Sequence, residues 1–144
     1  MALDPQKRAT FVQSIKEFLE MYPFDGVDLD WEYPGVREGS DPEHDKEDFS
    51  RLVEEMSAML KPMGKIFSAA VTPAYKRVDL GYDVPYISQY LDFINVMTYD
   101  YHGWFPNHSF TGHNAPLYTR EEETVSEDHP GYMFNVFDTI TVRF

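Results

Sequence analysis

The sequence predicts an α/β fold: a parallel sheet covered by helices. Three observations carry that prediction. Amphipathic helical segments alternate with short apolar strands three times along 144 residues, an order that implies parallel strands joined by crossover helices. The segment "KIFSAAVTP" is a short apolar run with small residues, as in a strand buried on both faces. The length suits one domain with a substantial core and is too short for two.

The first segment, "DPQKRATFVQSIKEFLEMY", places Asp4 as N-cap and Pro5 at the first helical position. Phe11, Val12, Ile15, Phe18, Leu19 and Tyr22 then recur on one face. Pro23 ends it, and Phe24–Glu32 reads as a strand. The loop "YPGVREGSDPEH" leads to a second helix capped near Asp45, with the stripe Phe49, Leu52, Val53, Met56, Met59 and Leu60. Pro62 and Gly64 stop it before the second strand, "KIFSAAVTP". A short helix around "VPYISQYL" precedes a third strand, "DFINVMTYD". A loop rich in aromatics and His follows, then the acidic "REEETVSEDH", read as solvated surface. Phe134, Phe137 and Ile140 suggest a last helix. A (β/α)8 barrel typically needs about 250 residues, so three strands imply either a small open sheet or a slice of something larger.

Composition narrows the function. The chain is 42% hydrophobic and 16% aromatic, a globular profile. Its net charge of −13 disfavours a nucleic-acid or anionic-membrane partner, which would need clustered Lys and Arg, and suits a neutral substrate. With no cysteine, disulfide frameworks and Cys-based zinc or thiol chemistry are excluded. The N-terminal "MALDPQKRATFVQS" lacks the apolar core of a signal peptide, so none is expected in this chain. No run approaches the roughly 18 apolar residues of a membrane span.

The chemistry concentrates in "FDGVDLDWEYP", where Asp25, Asp28, Asp30 and Glu32 crowd an otherwise strand-like segment. Residues two apart share a face of a strand, so Asp28, Asp30 and Glu32 project together while Val27, Leu29 and Trp31 point the other way. Neighbouring carboxylates would sit roughly 6.7 Å apart by strand rise. Two full charges at that distance repel by about 2.5 kcal/mol at an effective dielectric near 20. That approaches about two pKa units, so full ionisation at neutral pH is not expected. One carboxyl kept protonated beside a charged one is what a general acid needs. A solvated strand face is the bland alternative, although Asp is a poor strand former. A calcium loop is disfavoured because the required Gly and late Glu are missing; spacing alone leaves magnesium open.

A second cluster, "NVMTYDYHGW", puts Asn95, Met97 and Tyr99 on one face of the third strand with Asp100 at its end. Sites in parallel α/β folds gather at the C-terminal ends of strands. Glu32 and Tyr99–Asp100 would therefore share one rim. The five histidines show no metal-ligand spacing, and "NHS" at Asn107 matches a glycosylation sequon.

At these residues the chain resembles the family 18 glycoside hydrolases, specifically chitinases. "DGVDLDWE" matches that family's D-G-x-D-x-D-x-E signature, and Met97, Tyr99 and Asp100 match its M-x-Y-D. "WEYPG" and "GHNAPLY" are similar to animal chitinases. The resemblance implies a partial (β/α)8 barrel, roughly strands four to six with their helices, with residues 1–144 a catalytic domain incomplete at both ends. It implies hydrolysis of β-1,4-linked N-acetylglucosamine in chitin or chitooligosaccharides, without metal or cofactor. Glu32 would be the general acid, Asp30 would orient the substrate's acetamido group, and Asp28 would share a proton with Asp30. Tyr99 would hold the acetamido oxygen, while Tyr33, Met97, Asp100 and Trp104 would contact the sugar. The parent protein would be extracellular. The alternative is a chitin-binding lectin of the same fold, although such relatives typically lose the acid at the Glu32 position. A barrel cut this way exposes two strand edges, so the isolated chain is expected to be poorly stable or to associate, with little or no activity.

Overall fold

The structure, a computed structural model, describes residues 1–37, 39–103, 111–120 and 134–143. It contains two compact units, Met1–Val71 with Lys76–Val96, and Thr72–Tyr75 with Met97–Phe144. The first unit holds a sheet of three parallel strands in the order β1 (Gly26–Asp30), β2 (Ile66–Val71), β3 (Phe93–Val96). Helix α1 (Pro5–Met21) precedes β1, and α2 (Asp45–Leu60) joins β1 to β2. Between β2 and β3 lie α3 (Tyr75–Gly81), which the sequence patterning missed, and the single turn α4 (Val84–Ile87). The second unit contains α5 (Val136–Arg143).

Local chemistry sets the helix ends. Asp4 caps α1 as expected, its carboxylate accepting from the N–H groups of Gln6 at 2.9 Å and Lys7 at 3.3 Å. Asp45 does not cap α2 but is its first residue, following His44. Its buried carboxylate instead accepts from the Gly35 N–H at 2.8 Å and the Asp41 N–H at 3.0 Å, tying down the loop after β1. A 3-10 turn over Lys61–Met63 ends at Gly64 in the left-handed region (φ 66°), where glycine carries no Cβ penalty.

The core lies between one sheet face and the helices. Phe49, Leu52, Val53, Met56 and Leu60 of α2 are buried, and pack with Leu29, Phe67, Ala69 and Val71 from the strands. The Phe49 ring meets Trp31 at 6.0 Å and the edge of Tyr82 at 5.1 Å. Buried Arg8 links α1 to α2 through Glu55, with Nε–Oε1 at 3.0 Å. The α1 stripe is only partly covered. Leu19 is buried and Phe11, Val12 and Ile15 pack on the core, but Phe18 and Tyr22 are exposed. Phe18 lines a groove with Gly26 and Val27 of β1, which among the described residues has no strand on its outer side. In α5 the expected apolar stripe is also not the buried one. Asn135, just before the helix, and Thr139 are buried, whereas Phe137 and Ile140 are exposed.

Candidate active site

Strand β1 is shorter than expected, and its pleat sorts the acidic segment by face. Leu29 is buried and Val27 and Trp31 pack on the core, while Asp28, Asp30 and Glu32 are exposed. Glu32 lies past the strand's end, since pairing with β2 stops at Asp30. Because the sheet is parallel, β1, β2 and β3 all end on the same edge, and the acids sit at the C-terminal end of β1.

Register brings polar groups from the other strands to Asp28. Asp28 pairs with Ser68, and the Ser68 hydroxyl donates to Asp28 Oδ1 at 2.6 Å. Asn95 stands level with Ala70 and Asp30, yet its Nδ2 donates to the same Oδ1 at 3.0 Å. The Asp30 carboxyl is held above the usual carboxylate range. Loss of hydration against the sheet is the main cause, followed by repulsion from Glu32 and then Asp28.

Half-buried Tyr33 adjoins Glu32 through a cis peptide. Its phenol is pushed up first by burial, then by its hydrogen bond to the Glu32 carboxylate and that group's charge, against the opposing charge of Arg77. The Arg77 guanidinium of α3 lies over the Tyr33 ring, 5.3 Å from its centroid.

The second cluster departs from a strand. Strand β3 ends at Val96, and Met97, Tyr99 and Asp100 follow it in irregular backbone of the second unit. The Tyr99 N–H donates to the Met97 carbonyl at 2.9 Å, a three-residue turn that removes Tyr99 from any extended ladder. Asp100 then takes a left-handed conformation (φ 56°), which ends an extended run outright. Met97 is buried; Tyr99 and Asp100 are exposed. Within the same unit, the Tyr101 hydroxyl is 2.8 Å from Thr139 Oγ1, and Asn135 Nδ2 donates to Thr119 and Asp138 at 2.7 Å each. Trp104, Asn107 and most of the acidic stretch lie outside the described residues.

The sequence pattern points to the acids, Tyr33 and the cluster Asn95–Asp100, but not to Ser68 or Arg77, and it assigns Asn95 no role. The available signal was the break of an apolar strand by Ser68, whose significance needs the register to be seen.

Parallel strands with acids at the C-terminal end of one and helices over the opposite face suit a slice of a (β/α)8 barrel, and the solved chitinases that superpose on the chain establish that fold. The chain belongs to the glycosyl hydrolases family 18, whose profile matches residues 1–141. It is 42% identical to Probable chitinase 10 of Drosophila melanogaster over 136 residues, 91% of this chain and 6% of that one. A Group IV chitinase of Ostrinia furnacalis in complex with allosamidin superposes with a TM-score of 0.85 at 38% identity, covering 98% of this chain and 37% of that one. Human YKL-39, described as a pseudo-chitinase with retained chitooligosaccharide binding properties, superposes with a TM-score of 0.77 at 26% identity, over 98% and 38% of the two chains. The chain spans about a quarter or less of the length of the curated relatives it matches, between 6% and 27%.

Proposed function

We propose that residues 1–144 form part of a catalytic domain that cleaves β-1,4-linked N-acetylglucosamine in chitin or chitooligosaccharides with retention and assistance from the substrate. The observation that carries this reading is the placement of Asp28, Asp30 and Glu32 together, opposite the core, with the Asp30 carboxyl held above its ordinary range. Glu32 protonates the glycosidic oxygen as its bond to the anomeric carbon breaks. The substrate's own acetamido carbonyl oxygen attacks that carbon, so no second protein carboxylate acts as nucleophile. Asp30 accepts the acetamido N–H and stabilises the cationic ring, passing its shared proton to Asp28. Water, deprotonated by Glu32, then opens the ring and restores the acid. Tyr99 holds the acetamido oxygen, and Tyr33, Met97, Asp100 and Trp104 are sugar contacts. The chitinase complexed with allosamidin supports this reading.

Hydrolysis of a fluorogenic chitooligosaccharide tests it. Loss of the Glu32 general acid should lower kcat by about 10²–10⁴-fold in Glu32→Gln; a kcat that the substitution leaves unchanged overturns the assignment. A second reading, chitooligosaccharide binding without turnover, is favoured by the likeness to YKL-39. Heat released on titrating chitopentaose into a chain that shows no hydrolysis would select it.

A further inference from the structure

We infer that Ser68 and Asn95 are positioning residues of the proposed reaction, holding one oxygen of Asp28 from the two neighbouring strands so that only its second oxygen exchanges a proton with Asp30. The inference rests on the functional reading above and deepens it. Both donors converge on Oδ1, at 2.6 Å and 3.0 Å. An amide nitrogen donates and cannot accept, so a proton on Oδ1 would have to turn to Ser68 Oγ and reverse that bond. A proton on Oδ2 leaves both bonds as they stand, so Oδ2 is the favoured site for any proton that Asp28 takes up.

The sheet register makes this arrangement specific. Ser68 stands directly beside Asp28 in the parallel pair, buried, with its hydroxyl satisfied by the carboxylate. Asn95 is one pleat further along, in the row Asp30–Ala70–Asn95. It reaches diagonally to Asp28 past Ala70, which has no atoms beyond Cβ to obstruct it; a larger residue at 70 would occupy that path. Of the carboxyls that face Asp28, Asp30 is the next along the strand face and Glu32 lies a further pleat away, past the strand's end. The segment of Asp28 itself contributes these two carboxyls, while on the same face β2 and β3 contribute Ser68, Ala70, Phe93 and Asn95, none of them charged. A structural polar pair would serve as well anywhere on the sheet. This one is built around the carboxyl next to the one whose proton is displaced upward.

The test is a carbon-13 NMR titration of the Asp30 side-chain carboxyl in the full 144-residue chain, read without substrate. Wild type should titrate above the ordinary carboxylate range. Ser68→Ala and Asn95→Ala should each lower the Asp30 midpoint, because Asp28 then competes for the proton without its donors, and Ser68→Thr, which keeps a hydroxyl, should leave it in place. Where the chain turns over substrate, each lost bond should lower kcat about tenfold with KM unchanged. Midpoints identical to wild type in both alanine variants overturn the inference. Asn95→Ala, at an exposed position, carries the test if Ser68→Ala does not fold. The midpoint needs no hydrolysis, so an unmoved midpoint counts against the positioning role alone, whereas turnover that is equal in wild type and Glu32→Gln counts against the functional reading alone.

Discussion

Asp30 ties the electrostatics of the site to the stability of the fold. Its carboxyl binds a proton more tightly in the folded chain than in the unfolded one, through lost hydration first and then the charges of Glu32 and Asp28. By linkage, the stability this contributes is fully present below the unfolded carboxylate value of about 3.9 and is lost as pH rises through the higher folded value. Asp30→Asn removes the penalised charge. Its melting temperature should therefore match or exceed that of wild type at neutral pH, with the difference shrinking as the pH falls. A variant that melts below wild type at pH 7, and converges or crosses on acidification, reverses the sign and refutes the account. The acids themselves were legible because alternation along one strand is written in consecutive residues. The partnership of Ser68 and Asn95 with Asp28 was not, because they lie 40 and 67 positions from it. They meet it only through strand pairing, which no local spacing encodes. Arg77 escaped for the same reason: its place over Tyr33 depends on α3, a helix without a clear apolar stripe.

The pairing of β1 with β2 depends on a glycine. A Cβ added at Gly26 would fall deep within contact distance of the Ile66 carbonyl and its neighbouring backbone atoms, which cannot rotate aside as a side chain could. Gly26→Ala should thus open the start of the strand pair and cost about 3 kcal/mol or more. Gly64→Ala offers the comparison. Nothing lies near its added Cβ, and only the left-handed backbone (φ 66°) resists it, at about 1–2 kcal/mol. Urea denaturation should rank Gly26→Ala as the more damaging; the reverse order would mean that the β1–β2 register is not as described. Among the elements themselves, α1, the body of α2 and β2 were readable, since cap, stripe and apolar run agree in each. The discrepancies arise where tertiary contacts override local pattern. Asp45 looks like a cap, yet its carboxylate is engaged by Gly35 and Asp41. Met97–Asp100 look like a continuing strand, yet a tight turn and a left-handed residue end it at Val96.

The sheet of the first unit has two outer edges among the described residues, on β1 and on β3, and these are different surfaces. Beside the β1 edge, Phe18, Leu19, Phe24, Gly26 and Val27 line an apolar groove of about 520 Å³, with the Phe18 and Phe24 rings stacked at 5.6 Å and both about half exposed. Unpaired parallel edges next to exposed apolar surface invite pairing between copies. A contact between the β3 edge of one copy and the β1 edge of another is head-to-tail, so it does not close at two. The 144-residue chain should therefore sediment as a concentration-dependent distribution rather than as a discrete dimer. Its net charge of −13 opposes that association, and screening weakens the opposition because the Debye length falls from about 30 Å at 0.01 M salt to about 8 Å at 0.15 M. Association should thus increase with salt, and Phe24→Lys should reduce it by placing a charge in the groove. Sedimentation velocity at two salt concentrations decides the matter. A monomer at both would show that these edges do not drive self-association, while association that weakens with salt would point to charge pairing rather than to the apolar edge.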